Sequence, residues 1–292
     1  MLAAAGAGLA LPQDTSAAGA PDLVLVKGAP GPATRLAVEK LGGMAAFVKP
    51  GQQVVIKPNI SFANGPGSGT NTHPDVVREL ALLCREAGAK RILVLDHPFR
   101  NVDICLDQSG IRPACKDIPE VSVQGLVDAA FYADCDFPQA KSMKKNQVMK
   151  DVLAADVLIA APVAKSHADT GVSLSMKGMM GLVWDRPVMH RDHPLDQAIV
   201  DLNTRVKAHL TVIDGTFVLS TNGPAGPGTV NRCDTIIASA DPVAADAMAV
   251  VEFQWWGRQM RPDQVGHIRL AHEQGLGRMD VQRQRLERLT VG

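Results

Sequence analysis

The sequence predicts a single α/β domain with a mostly parallel sheet and helices on both faces. Three observations carry that expectation. Short uninterrupted apolar runs such as LVLV, VVI, ILVL and VLIAA have the pattern of strands covered on both faces. They alternate with longer segments whose apolar residues recur at helical spacing. Aromatic residues make up only 4% of the chain while Ala, Val, Leu and Met are plentiful, which suits helices packed on a sheet better than an aromatic-rich β-sandwich.

Taken in order, strands are expected at residues 22–27, 53–57 and 91–95, with helices at 33–44 and 74–87 between them. In the second helix Val76, Val77, Leu80 and Leu83 share one face, and Gly88 marks the stop. Residues 97–150 are less regular, with a weak strand near Val121. A strand at Val157–Ala161 precedes a polar run over 162–170. Helices follow at 173–182 and 195–209, strands at 210–214 and 235–239, and helices at 242–253 and 263–273. No internal repeat or long linker interrupts this order. The segment GPAGPG at 223–228 reads as a turn-rich loop inside the domain.

The first 21 residues stand apart from the domain at 22–292. Residues 1–12 are almost wholly Ala, Gly and Leu, and Ala18 and Ala20 fall in A-x-A-like positions. That resembles the apolar core and cleavage region of an export signal, although no Lys or Arg precedes Lys27. We read it as a leader whose basic start is cut off by a late start codon, which implies an exported or periplasmic protein. The alternative is a disordered Ala/Gly tail on a cytoplasmic one. The segment is too short for a membrane span, and no later segment is long enough.

Thirty Lys+Arg balance thirty Asp+Glu, so nothing in the overall charge favours nucleic acid or an anionic membrane. The five cysteines, Cys84, Cys105, Cys115, Cys135 and Cys233, form no C-x-x-C pair. Neither a zinc finger nor a ferredoxin-type iron–sulfur cluster is expected, and buried or surface thiols are the preferred reading over disulfides. Trp255, Trp256 and Phe253 are expected to pack in the core rather than to form a partner-facing patch. The oligomeric state is left open.

Polar residues collect just past the carboxyl ends of the expected strands. Lys57 and Asn59 follow one, Asp96 and His97 a second, Lys165 and His167 a third; Asp214 and Asp241 follow two more. The carboxyl edge of an open α/β sheet is where ligands bind. Each residue also has a plainer explanation. Asn59 can cap a turn, and Asp241-Pro242 fits a helix N-cap with proline at the first helical position. Lys165 and His167, two residues apart after a buried strand, suit anion binding and proton transfer. Lys177 stands in an apolar patch, where a cation must snorkel, pair or hold a ligand. His190 and His193 in the run HRDH offer two ligands to a divalent metal, though a solvated loop explains them equally. No Walker loop, G-x-G-x-x-G or G-x-S-x-G motif is present.

Several segments, in order, resemble family 362 of the domains of unknown function. They are VVIKPN at 54–59, THPDVVRELALLCREAGAKRILVLD at 72–96, VLIAAPVAKSHADTGVSLSMKGMMGLV at 157–183, LTVIDG at 210–215, GPAG at 223–226, SADPVAADAMA at 239–249 and HIRLAHEQGLG at 267–277. The resemblance implies an α/β domain of this size, often exported behind a twin-arginine leader. Many relatives also carry a ferredoxin-like cysteine segment, which this chain lacks. The matching polar set is Lys57, Asn59, Lys165, His167, Lys177, Asp214, Asp241 and Asp246.

The expected function is an enzyme acting on a small anionic substrate. Lys57, Lys165 and Lys177 would hold its carboxylate or phosphate oxygens, with Asn59, Asp96 and Asp241 also in the binding set. His167 would move a proton and Asp214 or Asp241 would orient it, so that His167, Lys165 and Asp214 form the catalytic set. A divalent-metal site built from His167, His190 or His193 with an aspartate, supporting redox or hydrolytic chemistry, is the second expectation, and a non-catalytic anion- or metal-binding protein the third. Lys165→Ala and His167→Ala should each leave the fold intact, by circular dichroism and thermal melting, while abolishing ligand binding or turnover. Unfolding of both variants would make the pair structural instead.

Overall fold

The computed structural model describes residues 19–292; the expected export signal falls largely outside them. In chain order the strands are β1 Leu23–Lys27, β2 Gln53–Pro58, β3 Arg91–Asp96, β4 Val121–Gly125, β5 Tyr132–Asp136, β6 Lys145–Met149, β7 Val157–Ala161, β8 Val163–His167 and β9 Gly171–Ser173. They continue with β10 Leu210–Leu219, β11 Val230–Ser239, β12 Gln254–Trp255, β13 Arg258–Gln259 and β14 Leu286–Thr290. The main sheet runs β14-β1-β11-β10-β7-β2-β3-β4, with β8 pairing β10 and β9 pairing β8. Its pairings are parallel except those of β11 with β1 and β10, and the β8–β9 hairpin. β5 and β6 form a separate antiparallel ribbon.

The apolar runs become strands covered on both sides. Successive side chains of a strand point to opposite faces, and here each face meets its own core. Val54 and Ile56 of β2, with Ile92 and Val94 of β3, enter one core. Val55, Leu93 and Leu95 enter the other. Helices α1 Pro30–Lys40, α2 Pro74–Glu86, α3 Val102–Gln108 and α4 Ile111–Cys115 cover the first core. On the second face lie α5 Lys150–Ala154, α6 Ser175–Gly178, α7 Arg186–Arg191, α8 Leu195–Asn203, α9 Pro242–Glu252 and α10 Gly266–Glu273. The expected fold class is therefore what the chain adopts.

Several boundaries differ from expectation for local reasons. The expected helix at 173–182 breaks into the end of β9, the single turn α6 and a 3₁₀ turn at Met179–Leu182. The polar run at 162–170 contains β8, whose residues are buried despite being polar. The helix expected at 195–209 stops at Asn203, and its side-chain amide bonds back to the Ile199 carbonyl. Trp255 and Phe253 are core residues as expected, while Trp256 is half-exposed and donates its indole N–H to the Gly171 carbonyl. All five cysteines are free thiols, and only Cys233 is not fully buried.

One buried carboxylate fastens the 137–144 segment to α8. Asp201 accepts hydrogen bonds from the backbone N–H groups of Lys141, Ser142 and Met143 at 2.7–2.8 Å. Leaving such donors unpaired in the interior carries most of their desolvation penalty. Asp201→Ala should lower unfolding free energy by about 2–4 kcal/mol in urea denaturation. Asp192→Ala, which removes only the exposed pair with Arg191, should leave the midpoint unchanged.

Candidate functional site

β2, β3 and β8 deliver their last residues to one cavity of about 420 Å³ at the carboxyl edge of the sheet. Lys57, Asn59, Asp96, Lys165, His167, Lys177 and His190 all line it. So do Trp184 and Arg186, which the sequence did not single out, and His97, which it placed beside Asp96 at a strand end but gave no role.

Lys57 and Asp96 form its floor. Their Nζ–Oδ1 separation is 3.0 Å, and both side chains are almost wholly buried. The carboxylate also accepts from the N–H groups of Ile60 (2.7 Å) and His97 (2.8 Å) and from the Ser61 hydroxyl (3.1 Å). Burial pushes the Asp96 carboxyl up, but the Lys57 ammonium and these N–H donors outweigh it and hold it below its ordinary value. The Lys57 ammonium also donates to the Pro58 carbonyl. Space at this floor is so tight that a Cβ at Gly181 would stand 2.4 Å from Asp96 Oδ1 and 2.6 Å from Lys57 Cε.

Above the floor the cations make no direct ion pair with a carboxylate among the described residues. Lys165 is 3% exposed and donates to the Thr70 carbonyl at 2.7 Å, with its Nζ 5.6 Å from the Phe62 ring centre. Lys177 is 8% exposed and makes no hydrogen bond or ion pair with any described residue. Burial pulls Lys165 down to about 7, opposed by Asp96, with Lys57 and Lys177 adding smaller repulsions. Burial likewise pulls Lys177 down to about 8, with Asp169 and Asp196 opposing the fall and Arg186 adding to it. Arg186 donates to the His97 carbonyl at 3.2 Å and lies 4.0 Å over the Phe99 ring.

Three histidines line the same cavity. Nδ1 of His167 accepts the Asp169 backbone N–H at 3.2 Å, and its ring stacks on His190 with centroids 6.5 Å apart. Nδ1 of His97 lies 3.0 Å from the Tyr132 hydroxyl, and its ring stacks on Trp184 at 5.6 Å. Burial lowers His167 to about 3, aided by Lys177, and lowers His97 to about 4, aided by Arg186. Both are neutral at pH 7. Asn59 uses its side-chain oxygen to accept the Val163 N–H at 3.0 Å, leaving its amide nitrogen to the cavity.

Three expected site residues lie elsewhere. Asp214 does not end its strand, because β10 continues to Leu219. Its buried carboxylate accepts from the N–H groups of His73 and Thr216 and so pins the start of α2 to the sheet; it does not contact His167. Asp241 follows β11, which runs antiparallel, so it stands at the opposite edge from the cavity. There it caps α9 through Val243 and Ala244 and accepts the Arg278 N–H, the plainer of its two readings. His193 faces Ser142, 2.9 Å from its hydroxyl, away from His190, which pairs with Asp169 at 3.5 Å. Among the described residues no three His, Cys, Asp or Glu side chains gather as metal donors, and His190 and His193 each have a different neighbour.

Asp246 has a role one step removed. Buried in α9, it accepts from the N–H groups of Ser175 and Met176 and from the Ser175 hydroxyl. It thereby fixes the start of α6, the turn that carries Lys177.

Residues 54–251, which include every side chain of the cavity named above, match a family described as Domain of unknown function (DUF362). A thylakoid-associated protein of Synechocystis sp. is 30% identical over 221 residues, 73% of this chain and 66% of that protein. Two solved structures are similar in outline. The lactate racemase apoprotein from Thermoanaerobacterium thermosaccharolyticum aligns with a TM-score of 0.48 at 14% identity, over 82% of this chain and 58% of that one. A structural-genomics protein from Thermotoga maritima aligns with a TM-score of 0.46 at 14% identity, over 76% and 59%. The chain thus spans between 58% and 66% of the length of these relatives.

Removing the ammonium from the floor should be costly. Lys57→Met leaves the Asp96 carboxylate buried without its counter-charge, an expected loss of about 3–5 kcal/mol at pH 7. The deficit should shrink as pH falls, because a protonated Asp96 no longer needs the ammonium. Urea titrations of both proteins from pH 7 to pH 4 measure this; a deficit that stays constant with pH would mean that packing, not charge, is lost.

Proposed function

Taking as premise that the chain belongs to the DUF362 family, we propose that it is an enzyme that draws a small anion into this cavity and performs acid–base chemistry on it. The observation that carries this reading is a surplus of buried positive charge. Lys57, Lys165, Lys177 and Arg186 line the cavity against one carboxylate, Asp96, which is committed to Lys57. A buried cation without a counter-charge is unfavourable, and the lowered values of Lys165 and Lys177 express that cost. An anionic ligand removes it. The two lysines would grip carboxylate or phosphate oxygens, Arg186 adds a fork matched to the same groups, and the Asn59 amide adds a neutral donor.

Catalysis, rather than storage of an anion, is supported by the neutral histidines beside the cations. A neutral imidazole presents one donor and one acceptor, which is what proton transfer needs and simple anion capture does not. Lys165, poised near neutrality, is a further group able to exchange a proton at physiological pH.

The protonation of the lysines gives a signed test. Free Lys165 and Lys177 lose their protons near pH 7 and pH 8, and an anion favours the protonated forms. Binding should therefore take up protons, and affinity should be greatest below pH 7. Above it, Kd should rise by up to about tenfold per pH unit for each proton linked. Calorimetry with inorganic phosphate, oxalate and malonate between pH 6 and pH 9, in buffers of different ionisation enthalpy, measures both effects. Lys177→Met should weaken the best of these anions by about 10–100-fold. Affinity indifferent both to pH and to Lys177→Met would overturn the reading.

A further inference from the structure

The histidines are held in opposite tautomers, and hydrogen bonding alone fixes which is which. The Tyr132 hydroxyl has one proton, and it is given to the Leu126 carbonyl at 2.7 Å. Toward His97 the same oxygen can only accept, so Nδ1 of His97 carries the ring proton and Nε2 holds a free lone pair. His167 is the reverse. Its Nδ1 faces the Asp169 backbone N–H, which can only donate, so its Nε2 carries the proton. Neither Nε2 has a partner among the described residues, and both rings line the cavity.

We infer that His97 is the proton-accepting group of this cavity and His167 its neutral hydrogen-bond donor, and that the substrate is a small oxo acid whose C–H is acidified by its carbonyl. The inference rests on the anion-binding reading above and names the substrate class for it. The carboxylate of the oxo acid sits among Lys165, Lys177 and Arg186. The C–H bond next to the carbonyl breaks and an N–H bond forms at Nε2 of His97. The electron pair left behind becomes the C=C bond of an enolate, and the carbonyl π pair moves onto oxygen. That oxygen accepts a hydrogen bond from Nε2–H of His167, which keeps its proton throughout. Return of the proton from His97 to the same carbon, as the oxygen's electron pair re-forms the C=O bond, closes the cycle with no co-reactant.

A neutral imidazole is the suitable donor here, because an enolate oxygen needs polarisation without an acid that would trap it as the enol. The Arg186 charge is part of the same design. It contributes to keeping His97 unprotonated in the free protein, and a bound carboxylate offsets it, so the base strengthens when substrate arrives. Trp184, stacked on His97, holds the ring plane that the Tyr132 bond orients.

Long-range ¹⁵N–¹H correlation spectra of histidine-labelled protein at pH 7 read the tautomers directly, with His97→Gln and His167→Gln assigning their signals. His97 should appear as the Nδ1–H form and His167 as the Nε2–H form. Tyr132→Phe should disturb the His97 pattern and leave His167 unchanged. Solvent-deuterium exchange into 2-oxobutyrate and 3-oxobutyrate then tests the chemistry. His97→Gln should slow protein-dependent exchange by about 10²–10⁴-fold, and His167→Gln by about 10²–10³-fold, each with binding of the oxo acid retained. Identical tautomers, or an imidazolium at either position, would overturn the assignment. Binding of both oxo acids without exchange would also overturn it while sparing the anion-binding reading. Failure of phosphate, oxalate, malonate and both oxo acids to bind would remove that reading itself, and this inference with it.

Discussion

The site is organised around a lysine and an aspartate buried together where two neighbouring strands end. Asp96 reaches across from β3 to the exit of β2 and gathers the backbone of Ile60, the hydroxyl of Ser61 and the ammonium of Lys57. It also holds the backbone N–H of His97, so the residue that follows β3 leaves the sheet in a fixed direction. A pair of this kind contributes little net stability compared with apolar packing. What it supplies is direction: each exit from the sheet has one route, and the side chains beyond it face a common space. Gly181 passes so close that no side chain fits between it and the pair, so the 3₁₀ turn after Lys177 is seated against the same floor.

The parts of this architecture visible in the sequence are those with a one-dimensional signature. Runs such as ILVL and VLIAA announce covered strands, and the polar residues directly after them, Lys57, Asn59, Asp96, Lys165 and His167, do share a cavity. Asp241 obeys the same rule in sequence and fails it in space, because strand direction is not written in a run of apolar residues. Asp214 fails for another reason: GTFVL continues the strand past it, with a bulge between Gly215 and Phe217. The single turn carrying Lys177 looked like a longer helix because the Met and Leu residues around it recur at helical spacing, whatever the backbone does.

What stayed hidden depends on partners far apart in the chain. His97 was seen beside Asp96, but its tautomer is set by Tyr132, 35 residues on, in a ribbon that gave no clear signal. Arg186 and Trp184 lie next to the polar run that suggested a metal site, and that run divides: His190 turns to the cavity and His193 to Ser142. A short helix places residues three apart on neighbouring faces only while it lasts, and α7 ends at Arg191. The chemistry of the cavity is thus one of cations and imidazoles, drawn from segments that no single motif unites.

The position of β1 has a consequence for how the molecule is made. β1 lies between β11 and β14, in parallel register with Leu286–Thr290, and Asp22 is bound to Arg285 across 263 positions of sequence. Until residues 286–290 have been synthesised, one side of β1 is an open row of amides and carbonyls, a template for pairing with another chain. Contacts so distant in sequence form late. That side of β1 therefore stays unsealed until β14 has been made, and β14 acts as its cover.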